Sequence, residues 1–209
     1  AAVGDFAPDN PEAALNLLHY RRAFKTPYEI TMMRVASKVG VHGHRVAERA
    51  FREGLSEFDI HCEYLKATRL TEAQLPYGNI IALDAHGAVL HYMHFDRNPP
   101  THAHSFLIDA GASFHGYASD ITRTYASPDA SEFQALIDAV EAAQQGFCAN
   151  VRAGHSYPDL HIRALHVLMQ AMREQGFITC SPEAALANGI SSTFFPHGLV
   201  YLNCMQGHD

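Results

Sequence analysis

An α+β fold, with helix pairs covering a mostly antiparallel sheet, is predicted by three observations. Two helical stretches fill residues 25–70, short strand-like segments separated by turn residues follow to residue 125, and two further helical stretches come after them. The third observation is a repeat, in which the helix-pair text recurs one hundred positions later.

The first helix opens at Lys25-Thr26-Pro27-Tyr28-Glu29. Thr26 can cap, Pro27 suits the first helical position, and Glu29 can reach back to close a capping box. Apolar residues Ile30, Met33, Val35, Val39 and Val46 then recur at roughly helical spacing up to Arg52-Glu53-Gly54, where glycine can take the left-handed C-terminal conformation. Ser56 is the expected cap of a second helix running to about Leu70.

The stretch FREGLSEFDIH at 51–61 is matched by VRAGHSYPDLH at 151–161. Both keep a glycine helix stop, a serine N-cap and an aspartate three residues on, where negative charge suits the helix dipole. Ser127-Pro128 followed by Phe133, Leu136, Ile137, Val140 and Ala143 restates the first helix, so helices are expected at about 129–151 and 157–175. Strand signals follow the first helix pair at Asn79 to Leu83, Ala88 to Tyr92, Ser105 to Asp109 and Tyr117 to Tyr125. The second copy leaves only Ser191 to Asp209 for an equivalent sheet, so by its internal logic the plan is truncated in its second half.

Composition narrows the function. Apolar residues make up 47%, enough for a sizeable core, and the formal net charge is -7. An acidic surface gains nothing from nucleic acid or an anionic membrane, so a small polar substrate or a metal cation fits better. Cys62, Cys148, Cys180 and Cys204 form no C-x-x-C pair, which suits a reducing, cytoplasmic setting. No run approaches the roughly 18 apolar residues of a membrane span. Of the 15 histidines, His42, His44, His61, His102, His155, His161 and His166 read as solvated or hydrogen-bonded surface residues.

The chemistry concentrates in SFLIDAGASFHGYASDITRTYA, residues 105–126. A turn at His115-Gly116 pairs Asp109 with Thr122 and Asp120 with Gly111, whereas a four-residue loop over 113–116 makes Asp109 face Asp120. Either register puts both carboxylates on one face, where they repel unless a cation lies between them or they share a proton. Hard oxygen donors so placed favour a divalent ion such as Mn²⁺ or Co²⁺ over a lone soft-ligand zinc. The alternative is a solvated hairpin whose aspartates mark turns.

The text Asp109-Ala110-Gly111, Gly116 and Asp120-Ile121-Thr122-Arg123-Thr124 resembles the metal-binding hairpin of the pita-bread metallopeptidases. Within that group it is most similar to the bacterial Xaa-Pro dipeptidases, or prolidases, and the related organophosphorus acid anhydrolases. HYRRAFKTPYEI at 19–30, MRVASKV at 33–39, FREGLSEFDI at 51–60 and FFPHGL at 194–199 carry the same resemblance. It implies a pita-bread fold, a duplicated helix pair plus sheet, with residues 25–209 as a partial catalytic domain and 1–24 as a linker from an N-terminal domain. It implies two divalent metal ions, manganese first with cobalt or zinc as alternatives. Asp109 would chelate one ion and Asp120 would bridge to the second, with Thr122 and Thr124 orienting Asp120. His91, His197 and His208 take roles around the substrate and the tetrahedral intermediate. The substrate implied is a dipeptide with C-terminal proline, and the full-length protein would be a homodimer.

The tail departs from that pattern. Tyr201 stands where the family's pattern has its second histidine, a metal ligand, Val200 and Cys204 replace glycines, and the two glutamates that complete such a site lie beyond residue 209 in relatives. A phenol is a poor ligand near neutral pH, so the chain as given is expected to be inactive although its parent is a dipeptidase. Phosphotriester hydrolysis, or metal-free binding of a partner by a degenerate homologue, are the rivals. An exposed apolar surface is also expected, and it is not to be mistaken for a site.

Overall fold

In the computed structural model, which describes residues 11–199, helices α1 (Glu12–Ala23), α2 (Pro27–Arg52) and α3 (Glu57–Thr68) come first. Strands β1 (Ile80–Leu83), β2 (Ser105–Ala110), β3 (Ser113–Phe114), β4 (Tyr117–Ala118) and β5 (Ile121–Ala126) follow. Helices α4 (Ser131–Asn150), α5 (Tyr157–Glu174), α6 (Pro182–Ala187) and α7 (Ile190–Phe194) complete the order. The stretch expected as a linker is thus helical over α1, which buries none of its residues.

Local signals act as read. Thr26 accepts from the Glu29 amide while the Glu29 carboxylate accepts from the Thr26 amide, a closed capping box. Gly54 takes φ 79° after α2, and Ser56 caps α3 by accepting from the Asp59 amide. One hundred residues on, Gly154 takes φ 93° and Ser156 accepts from the Asp159 amide. Ser127 is not the cap of α4, however. Its hydroxyl donates to Asp129 and its amide to the His104 carbonyl, so the helix starts later, at Ser131. Helix α6 was not anticipated, although Ser181 caps it ahead of Pro182 by the same signal as Thr26.

Strands β1, β2 and β5 form an antiparallel sheet in the order β1-β2-β5. Along β2, Phe106, Ile108 and Ala110 are buried while Ser105, Leu107 and Asp109 are half-buried, the period of two of a strand with unlike faces. The buried face packs on α2 and α3 through Ala47, Ala50, Phe51, Ile60 and Tyr64. Helices α2 and α3 approach closely at Gly43, where a β-carbon would lie 2.5 Å from the Tyr64 ring. A smaller cluster of Met169, Met172 and Ala185 joins α5 to α6.

Ala88 to Tyr92, read as a strand, is not one. The segment turns through a 3₁₀ helix at Asp84–Ala88 into an irregular loop in which His91 has φ 56°. The cause is long-range. Glu57, 1% exposed, accepts from the Leu83 amide (2.8 Å) and His86 Nδ1 (2.7 Å) at one oxygen, and from Tyr92 Oη (2.8 Å) and the Asp96 amide (2.9 Å) at the other. Four donors drawn to one buried carboxylate fold the chain around it instead of along a strand. His44 and His61 correct the surface reading of their histidines, being 3% and 4% exposed.

Candidate metal centre

The hairpin adopts the first of the two registers. Asp109 pairs with Thr122, Ser113 with Ala118 and Phe114 with Tyr117, leaving His115 (φ 51°) and Gly116 (φ 83°) as a two-residue turn. Positive φ at both central residues is the primed turn whose twist matches antiparallel strands. Asp120 follows β4 two positions before Thr122, which puts it on the Asp109 face.

Tyr77 makes that shared face concrete. Its hydroxyl lies 2.8 Å from Asp109 Oδ1 and 2.9 Å from Asp120 Oδ1, so the two carboxylates converge on one point. A phenol has one proton, and three oxygens share it there. Burial first, then the charges of Asp109 and Asp120, push the Tyr77 phenol far above its usual range, so it stays protonated.

Gly111 explains why this ring can come so close. A β-carbon there would lie 2.2 Å from the Ser119 carbonyl, 2.7 Å from Pro76 and 2.8 Å from the Tyr77 ring. The helix layer fixes the same corner from behind. His44 Nε2 lies 3.0 Å from the Ala110 carbonyl, and Tyr64 Oη donates to the Gly111 carbonyl at 2.9 Å. A carbonyl only accepts, so His44 carries its proton on Nε2. Burial lowers its pKa below the usual 6.5. Burial likewise raises the Tyr64 phenol, helped by the charge of Asp109.

The other expected site residues are less gathered. His91 is exposed in the loop that Glu57 organises. His197 is exposed too, with Nδ1 3.0 Å from the Gly198 carbonyl and its ring 4.6 Å from that of Phe195. Thr122 and Thr124 lie across from Asp109 and Leu107. His208 and Tyr201 fall outside the described residues. Tyr77 was missed from sequence because a tyrosine in Leu-Pro-Tyr-Gly carries no metal signal of its own.

The donor set fits a divalent cation in kind, since carboxylate oxygens converging on one point are what hard cations take. It falls short in number. Among the described residues no third histidine, cysteine or acidic side chain joins Asp109 and Asp120; the cluster of three such ligands is His102, His104 and Asp129. A groove of about 880 Å³ among the described residues is not this centre either. It is lined mostly by apolar side chains, among them Leu136, Ile137, Val140, Phe147 and Leu165, together with Thr122 and Thr124.

The chain belongs to metallopeptidase family M24, whose family model matches residues 31–209. It is 56% identical over all 209 residues to a Xaa-Pro dipeptidase of Xanthomonas euvesicatoria pv. vesicatoria and 58% identical to one of Xanthomonas campestris pv. campestris. The chain spans about half the length of these relatives, 47% of each. Among solved structures, zinc-substituted Escherichia coli aminopeptidase P in complex with product superposes with a TM-score of 0.82 at 25% identity, over 92% of this chain and 44% of that one. Proline aminopeptidase P II of Yersinia pestis gives 0.79 at 28% identity, over 93% and 45%. The fold is therefore the pita-bread fold, present here as a fragment of the relatives' length.

Proposed function

We propose that the protein containing this chain is a Xaa-Pro dipeptidase that uses two divalent metal ions, manganese before cobalt or zinc, to hydrolyse dipeptides with C-terminal proline. The observation that carries this reading is the convergence of Asp109 and Asp120 on Tyr77 Oη. The strong identity to Xaa-Pro dipeptidases supports the substrate class. Bound divalent ions would supply Lewis acidity toward the scissile carbonyl and a water of lowered pKa.

The chain's own residues have distinct tasks. Asp109 and Asp120 hold positive charge on one face of β2 and β5, and Thr122 and Thr124 line that face beside them. Tyr77, kept protonated, orients both carboxylates through its hydroxyl. His91, His197 and His208 bind the substrate and stabilise charge developing on the tetrahedral intermediate. Two carboxylates hold a metal pair weakly, so the 209-residue chain by itself is inactive, and Tyr201 at the family's histidine position deepens that deficit. The full-length protein is cytoplasmic and a homodimer, and residues 1–24 link its catalytic domain to an N-terminal one.

The test is made on the full-length protein, by elemental analysis together with turnover of Ala-Pro and of a phosphotriester. Bound divalent metal with Ala-Pro hydrolysis is expected, and Asp120→Asn should lower kcat/KM by about a thousandfold or more. Unchanged turnover in Asp120→Asn, or after exhaustive chelation, would sink the reading. Faster turnover of the phosphotriester would favour the anhydrolase rival, and a metal-free, inactive protein the binding homologue.

A further inference from the structure

A second cluster of metal-ligand side chains lies at the opposite end of β2 from the aspartate pair. His102 and His104 flank Ala103 immediately before β2, and Asp129 comes from the turn between β5 and α4. One ligand atom from each of the three lies within 4.8 Å of the other two, and all three residues are exposed. His104 and Asp109 are five residues apart, about 16 Å along an extended strand, so this cluster is separate from the hairpin centre.

The backbone around the cluster is fixed. The His104 and Ser105 amides donate to Asp84 Oδ1 at 2.7 and 2.9 Å, and the Ser127 amide donates to the His104 carbonyl at 2.8 Å. Ser127 Oγ donates to Asp129, which orients that carboxylate. His102 Nε2 lies 3.0 Å from Asp129 Oδ2, and the His102 and His104 rings meet edge to face with centroids 4.6 Å apart. A surface His-Asp ion pair accounts for His102 and Asp129 but gives little stability and leaves the second imidazole unexplained. Two imidazoles beside one oriented carboxylate, all exposed, form a set of three ligands.

We propose that His102, His104 and Asp129 form a zinc site, with water completing a tetrahedron. Two nitrogen donors and one oxygen suit Zn²⁺ better than the hard ions that the all-oxygen hairpin would take. Because the ligands come from the entry to β2 and from the turn ahead of α4, a bound ion would tie the sheet to the second helix pair. Binding only to the folded state would raise the melting midpoint as zinc is added.

The experiment uses the full-length protein in excess Mn²⁺, titrated with Zn²⁺ alone by calorimetry and followed by thermal melting. One additional zinc equivalent is expected, with a higher midpoint. His104→Gln and His102→Gln should each weaken that step about tenfold or more while melting like the parent without zinc, and Asp109→Asn should leave it intact. The proposal is overturned if no additional equivalent binds, if both histidine variants bind it as the parent does, or if it disappears in Asp109→Asn alone. Asp129→Asn supplies an independent arm, since an amide cannot replace the anionic ligand and zinc affinity must fall there too.

Discussion

Pro27–Arg52 and Ser131–Asn150 occupy matching places in the repeat, yet α2 buries seven residues, from Ala36 to Phe51, and α4 buries none. Each is followed by a glycine stop and a serine-capped helix. Beneath α2 lies the sheet of β1, β2 and β5, whereas Phe133 and Val140 of α4 are 37% exposed and face the groove of about 880 Å³. The difference separates two kinds of information. Capping and periodicity decide that a helix forms, but the energy that holds it in place comes from the surface it covers.

The sharpest way to break this comparison is a paired truncation. Phe106 is fully buried between Phe51 and Tyr125, with ring centroids at 5.4 and 5.8 Å. Phe106→Ala should cost about 3–5 kcal/mol in chemical denaturation, because a large cavity opens in a packed core. A loss below about 1 kcal/mol would mean that the first half is no better packed than the second. Next comes Glu57→Gln, which puts an amide where two of four donors now find an oxygen and should destabilise by about 2–3 kcal/mol. In the full-length protein, on the function proposed above, that substitution should also disturb the loop carrying His91 and raise KM for Ala-Pro.

A third measurement concerns pH. His44 is neutral in the folded state with its pKa lowered by burial, while the unfolded chain titrates near 6.5. The unfolded state therefore binds more protons below that value, so this contribution is complete above about pH 6.5 and is lost as pH falls below it. Denaturation midpoints should drop on acidification through that window, and His44→Gln should flatten the drop. The smallest effect is expected on the uncovered helix. Val140→Ser should change the stability of this chain by no more than about 0.5 kcal/mol. A large loss there would show that α4 is covered in solution.

How far the sequence predicts the molecule follows from the range of each interaction. The caps at Thr26, Ser56 and Ser156 need only three neighbouring residues, and all three are where they were expected. The hairpin register was open between two choices until His115 and Gly116 took positive φ, which depends on the twist of the paired strands. Ala88 to Tyr92 is not a strand because Glu57, more than 25 residues away, captures His86 ahead of it and Tyr92 at its end. Tyr77 is hidden for the same reason. Its partners are 32 and 43 residues downstream, and only the packing of Gly111 lets the ring reach them.

The turn at His115-Gly116 also sets a rule for how this protein can change over time. Side chains alternate sides along the hairpin, so gaining or losing a single residue between Gly111 and Asp120 would send the second acid to the helix side of the sheet. Length variants of even count keep both acids together, and odd ones separate them. Descendants of this gene are thus free to vary the identity of the tip but not the parity of its length.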